Sequence, residues 1–157
     1  MKKFKAVLGL SLMVFIGWNL YTASHTTMVS GTSMYPTYQD KQIISISDDV
    51  SNVRRNDVVI IRRDNENYIK RVIAVPGDVI DIKEDKIYIN GTYTEDMEGI
   101  SENVTDVQDY PLKLHDKQYF VIGDNRMNSW DSRSKSFGVV HESEIFAMAE
   151  HRNKKSE

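Results

Sequence analysis

Tyr68-Ile69-Lys70-Arg71-Val72-Ile73-Ala74-Val75-Pro76-Gly77-Asp78 decides the fold class. The run reads as a β-strand closed by a Pro-Gly turn. Side chains alternate across a strand, so Tyr68, Lys70, Val72 and Ala74 are expected on one face. Ile69, Arg71, Ile73 and Val75 take the other. Lys70 then stands between an aromatic ring and a β-branched residue. Desolvation there disfavours the ammonium form. A lysine that sheds its proton near neutral pH can serve as a base. The plain alternative is an edge strand whose two charges deter aggregation.

Strands extend outward from this stretch. Asp57-Val58-Val59-Ile60-Ile61-Arg62 is an apolar run of strand length, and Asp64-Asn65-Glu66-Asn67 is a turn, which together predict a hairpin. Upstream, Gln42–Ser47 places Ile44 and Ile46 on one face. Downstream, Val79–Ile82 and Ile87–Ile89 are parted by Lys83-Glu84-Asp85-Lys86, and Asn90-Gly91 marks a tight turn. Residues 94–117 are polar and acidic and read as a surface excursion; 79–117 is expected to form a small inserted subdomain. Gln118–Ile122 is a strand ending in the turn composition Gly123-Asp124-Asn125-Arg126. Phe137–Val140 is expected as a short strand, and Glu142–Ala149 as strand or helix. The fold class is therefore mainly β, over residues 25–149, with a polar tail at 150–157.

Residues 1–5 carry Lys2, Lys3 and Lys5, and residues 6–24 carry no charge. That length reaches the range of a membrane-spanning helix. Trp18 and Tyr21 suit an interface, and the lysines place the N-terminus in the cytoplasm and the β domain outside. A cleaved secretory leader is the rival reading. Both export the rest of the chain.

The 157 residues include 20 basic and 23 acidic ones. Three of the basic residues precede the apolar segment, so the exported part is net acidic. That argues against a nucleic-acid partner. With no cysteine, a disulfide scaffold, a thiol nucleophile and cysteine-based zinc sites are excluded. His25, His115, His141 and His151 show no ligand spacing, and no metal or other cofactor is implied.

Three polar clusters stand out in order: Ser33 in a Gly/Pro loop, Lys70 on its strand, and Ser129, Asp131 and Arg133 after a turn. Taken as Ser33-Met34-Tyr35-Pro36-Thr37, Lys70 through Asp78, and Gly123-Asp124-Asn125-Arg126-Met127-Asn128-Ser129-Trp130-Asp131-Ser132-Arg133, they closely resemble the three boxes of the type I signal peptidases. The single N-terminal span resembles the Gram-positive branch. The resemblance implies a signal-peptidase-like β domain behind one transmembrane helix. It implies Ser33 as nucleophile and Lys70 as general base. Ser129 is then expected to orient the lysine by a neutral hydrogen bond. Asp131 is expected to pair with Arg133, and Asp124 with Arg71. The Ser33 N–H is the expected oxyanion donor. Gly31 stands where some relatives have a second, hydroxyl donor.

The implied partners are signal peptides of secreted preproteins with small residues at −3 and −1, and membrane lipid, with the protein a monomer. Val29, Met34 and Ile69, with Gly31, are the matched substrate-facing positions; ordinary core is the other reading for the first three. Asn56 precedes Asp57 where the family often has glycine, and asparagine tolerates left-handed geometry. Other readings of the same residues are a narrow-substrate Ser–Lys protease and a catalytically silent, membrane-tethered β domain that binds exported peptides.

Overall fold

The computed structural model describes residues 25–96 and 106–150. The expected anchor at 6–24 and most of the polar tail lie outside the described residues. Among the described residues no helix is long and apolar enough to cross a membrane.

The strands are β1 (Thr26–Met28), β2 (Ile43–Ser47), β3 (Val58–Arg63), β4 (Glu66–Ala74), β5 (Val79–Lys83), β6 (Lys86–Ile89), β7 (Thr92–Asp96), β8 (Leu112–Lys113), β9 (Gln118–Ile122), β10 (Val140–His141) and β11 (Ile145–Ala149). They form a larger sheet of order β1-β2-β11-β3-β4-β9-β10 and a smaller one of order β7-β6-β5-β8. The fold is mainly β.

The apolar run in β3 is continuous because both of its faces are covered. Val59 and Ile61 pack with Val72, Tyr119 and Val121. Val58 and Ile60 pack with Val29, Met34 and Ala147. A third cluster joins the sheets: Ile73, Ala74, Phe120 and Ile122 from one, Ile80, Ile87, Ile89 and Leu114 from the other side.

The β3–β4 turn is tighter than the composition suggests. Asp64 and Asn65 both have positive φ, 51° and 65°, the pattern of a two-residue primed turn. Glu66 and Asn67 therefore belong to the strand. Asn56, at φ 74°, also takes left-handed geometry.

Ala74 does not share the face of Val72. The β4–β9 register shifts between those residues, and such a bulge re-aims the side chains beyond it. Ile73 and Ala74 consequently both enter the cluster between the sheets. The described end of the 94–117 stretch runs largely along the surface but reaches the core at one point. Leu114 is buried, with Leu112 and Tyr110 packed beside it, because β8 closes the edge of the smaller sheet on β5. The short strand expected at 137–140 is confined to Val140–His141. Glu142–Glu144 forms one 3-10 turn, and β11 then runs between β2 and β3. Its alternating burial fits a strand.

Candidate active site

Each sequence cluster is held by a different element. Ser33 lies in the loop between β1 and β2. This loop is tied back on itself by Tyr38 N–H donating to the Met34 carbonyl and Lys41 N–H to the Val29 carbonyl. Met34 anchors it, almost fully buried. Lys70 sits within β4, opposite Val59 of β3. The third cluster follows β9.

Lys70 Nζ donates to Ser33 Oγ at 2.9 Å. The lysine is only 3% exposed. Burial is the main reason its pKa is pushed down from 10.5 to about 8; the Asp131 charge opposes the shift and the Arg133 charge assists it. Asp131 does not bond Lys70. It is neutralised by Arg133, whose Nε and a terminal nitrogen meet the two carboxylate oxygens at 2.8 and 2.9 Å. The carboxylate also accepts from the Gly123 N–H at 3.1 Å.

Arg71 points to the opposite face of β4 from Lys70. It grips Asp124 with two hydrogen bonds of 2.7 and 2.6 Å and donates a third to the Asn56 carbonyl. Burial alone would raise the Asp124 pKa, but the bonds from Arg71 and Thr37 and the Arg71 and Arg126 charges lower it on balance.

The hydrogen bond expected from Ser129 to the lysine is not formed. Ser129 Oγ is buried without a partner. Gly123 stands so close to it that an added Cβ would collide with the hydroxyl and with the Ser33 carbonyl. Lys70 Nζ bonds Ser33 instead.

A cleft of about 290 Å³ opens beside the pair, lined by Val29, Ser33, Met34, Ile69 and Lys70 among others. Gly31 does not line it. Its φ is 86° and its N–H is taken by Asp40 Oδ1 at 2.8 Å.

Several contacts escaped the sequence reading. Asn125 donates its backbone N–H to the Ser33 carbonyl at 2.9 Å and its side chain to the Thr32 carbonyl. Asn128 bonds Thr32 Oγ1. These two asparagines pin the serine loop to the third cluster. Their placement in a turn after β9 was legible, but not which loop they would reach. Asp106 accepts from Ser134 Oγ and the Ser136 N–H, and Trp130 Nε1 donates to Ser136 Oγ. The return of the excursion is thereby fastened to the loop that carries Asp131. No signal in the sequence pointed to that pairing.

The profile of the family described as signal peptidase, peptidase S26, matches residues 1–152. The chain belongs to that family. A signal peptidase I of Bacillus amyloliquefaciens is 37% identical over 118 residues, covering 68% of this chain and 64% of its own. Signal peptidase I S of Bacillus subtilis (strain 168) is 36% identical over 121 residues, covering 68% and 65%. Signal peptidase I P of Bacillus subtilis subsp. natto is 31% identical over 160 residues, covering 93% and 84%. The chain thus spans just under two thirds of the first two relatives and more of the third. A crystal structure of a signal peptidase I from Enterococcus faecalis V583 covers 62% of this chain and 96% of its own, at 28% identity and a TM-score of 0.49. Within the signal peptidase family, the relatives place this chain with the Bacillus type I enzymes.

A serine beside a buried lysine suits nucleophilic catalysis. A hydroxyl is a weak nucleophile until a neighbouring base takes its proton. A neutral lysine amine has a lone pair to accept it.

Proposed function

We propose that this chain is a membrane-anchored serine endopeptidase that removes signal peptides from exported preproteins, working through a Ser33–Lys70 dyad. The observation that carries the reading is the 2.9 Å contact between Lys70 Nζ and Ser33 Oγ on a buried lysine. Membership in the signal peptidase family supports the substrate class.

With its pKa near 8, roughly one lysine in ten is neutral at pH 7, against about one in 2,500 at the reference value. Neutral Lys70 takes the Ser33 proton as the hydroxyl attacks the scissile carbonyl. It returns that proton to the leaving amine, and water then hydrolyses the ester by the reverse path. The Ser33 N–H stabilises the oxyanion. Asp131–Arg133 holds the Gly123 corner behind Ser33, and Asp124–Arg71 fixes the loop after β9. Ser129 contributes its close packing on Gly123.

The acyl part of the substrate lies extended along the edge of β4, with small side chains at −1 and −3 in the shallow space between Val29, Met34 and Ile69. Gly31 shapes the loop in front of that space. Residues 6–24 anchor the chain with the N-terminus in the cytoplasm and the β domain outside. The protein acts as a monomer.

The test is cleavage of a preprotein bearing a small-x-small site by full-length protein in detergent or lipid, with mass spectrometry locating the cut. Wild type should cut after the −1 residue. Ser33→Ala and Lys70→Ala should each lose about three orders of magnitude or more in kcat while their circular dichroism stays native. Near-normal cleavage by either variant overturns the dyad. Binding of the preprotein without any cut by wild type would point to a silent peptide-binding domain.

A further inference from the structure

The cleft does not end at the dyad. It continues along β4 past Ile69 and Tyr68 to Asn67, Glu66 and Asn65. This half of β4 pairs with β3 on one side only. Its pairing to β9 begins at Arg71, so the backbone from Glu66 to Lys70 offers an open edge.

Glu66 stands out on that edge. It is exposed, and among the described residues its carboxylate makes no hydrogen bond or ion pair. The nearest cation in register is Arg63, directly across the hairpin. Arg63 is already committed: it meets Glu144 with two hydrogen bonds, donates to the Phe137 and Val139 carbonyls, and lies over the Phe137 ring. The neighbouring Arg62 lies over the Phe146 ring and reaches Asn67. The carboxylate at the far end of the cleft is therefore unmatched.

We propose that Glu66 is a specificity residue that favours a lysine or arginine side chain on the substrate about five residues before the cut. This rests on the peptidase reading above. Glu66 lies four residues before Lys70 in one strand, which is about 13 Å at ~3.3 Å per residue. The acyl side of the substrate fills the Val29, Met34 and Ile69 end of the cleft. Its upstream continuation then runs toward Glu66, parallel to β4. With −1 beside the dyad, −5 reaches the carboxylate. Glu66 alternates onto the Tyr68 and Lys70 side of β4, whereas Ile69 faces the other, so a −5 lysine or arginine meets the carboxylate over the open end of the edge by its long flexible stem.

The experiment uses full-length protein in detergent and a set of peptides with alanine at −3 and −1. Lysine, glutamine or glutamate is placed in turn at each position from −7 to −4 and from +3 to +6. The reading is kcat/KM. For wild type, lysine at −5 should exceed glutamate by about threefold to tenfold, the range for one exposed charge pair gained against one like-charge contact. The ratio should shrink in high salt. Glu66→Gln should flatten the preference at −5, and Glu66→Lys should reverse it. A preference at −5 that is unchanged in Glu66→Gln overturns the assignment. A charge preference found only after the cut overturns the direction of the bound chain and the proposal with it. Should free peptides not be cut, the same residues are placed at −5 of a preprotein, where equal cleavage of the lysine and glutamate forms overturns the assignment; if wild type cuts neither peptides nor preprotein, the peptidase reading itself has failed.

Discussion

At pH 7 a lysine whose pKa is pushed from 10.5 to about 8 leaves most folded molecules with a desolvated ammonium. The shift corresponds to about 3 kcal/mol of lost stability at ~1.4 kcal/mol per pKa unit. The sign follows from proton counting. Between the folded value near 8 and the unfolded value of 10.5 the unfolded chain holds a proton that the folded chain has released, so stability rises with pH through that window. Below about 8 the penalty is present in full. Lys70→Met should therefore raise stability at pH 7 by about 1–3 kcal/mol in urea melts and remove the rise between pH 8 and 10.5, while cleavage is lost. In wild type kcat/KM should climb with pH to a plateau with a midpoint near 8. A Lys70→Met chain less stable than wild type at pH 7 would mean that the ammonium stabilises the fold, contrary to the burial argument.

At the scale of elements, the site depends on loops meeting at one corner. Gly123 follows β9 and touches both the Ser33 loop and Ser129. Its N–H is held by Asp131. There is no room for a side chain, and overpacking of this kind costs about 1–3 kcal/mol. Gly123→Ala should lower the midpoint of thermal unfolding and also displace Ser33, so kcat should fall more than KM rises. An alanine variant with native melting and native kcat would show that the corner has slack. The turns of the two sheets follow from residue type: Asp64-Asn65, Glu84-Asp85 and Asn90-Gly91 all have positive φ. The last is the composition most favoured for such a turn. Asp64-Asn65 also reads as a turn in the sequence, and Asn and Asp tolerate left-handed geometry; Glu84-Asp85 shows in the sequence only as a polar break between two apolar runs.

Across the whole molecule, one buried carboxylate joins the sheets. Asp78 follows the Pro76-Gly77 turn and accepts from Arg55, from the Val75 N–H and from Asn90 Nδ2. Burial would raise its pKa, but those hydrogen bonds and the Arg55 charge lower it on balance. The stability it contributes is present above the unfolded value of 3.8 and is lost as pH falls through the lowered folded value. Asp78→Ala strands four donors on three residues and should cost about 2–4 kcal/mol, read as a lower urea midpoint at pH 7. The difference from wild type should narrow in acid. A constant difference down to pH 2 would assign the loss to packing instead of charge.

The sequence by itself determined the central strands and the order of the boxes, but not β1 or β8, and it left Glu142–Ala149 open between strand and helix. Alternation and β-branched runs specify strands locally. Asn56, at φ 74°, shows the local geometry its residue type tolerates. The tertiary structure decided what depends on contacts between residues far apart in sequence. The bulge after Val72 moved Ala74 to the cluster between the sheets, because β9 pairs there out of step. Leu114 entered the core because β8 closes on β5. Ser129 Oγ is left without its expected partner, with Gly123 packed beside it. The unmatched Glu66 emerged only once Arg63, its neighbour across the hairpin, was seen bound to Glu144, 81 residues away. Periodicity reports which way a side chain faces along its own strand. It holds no information on which distant group has already claimed a charge, and that allocation is set by packing.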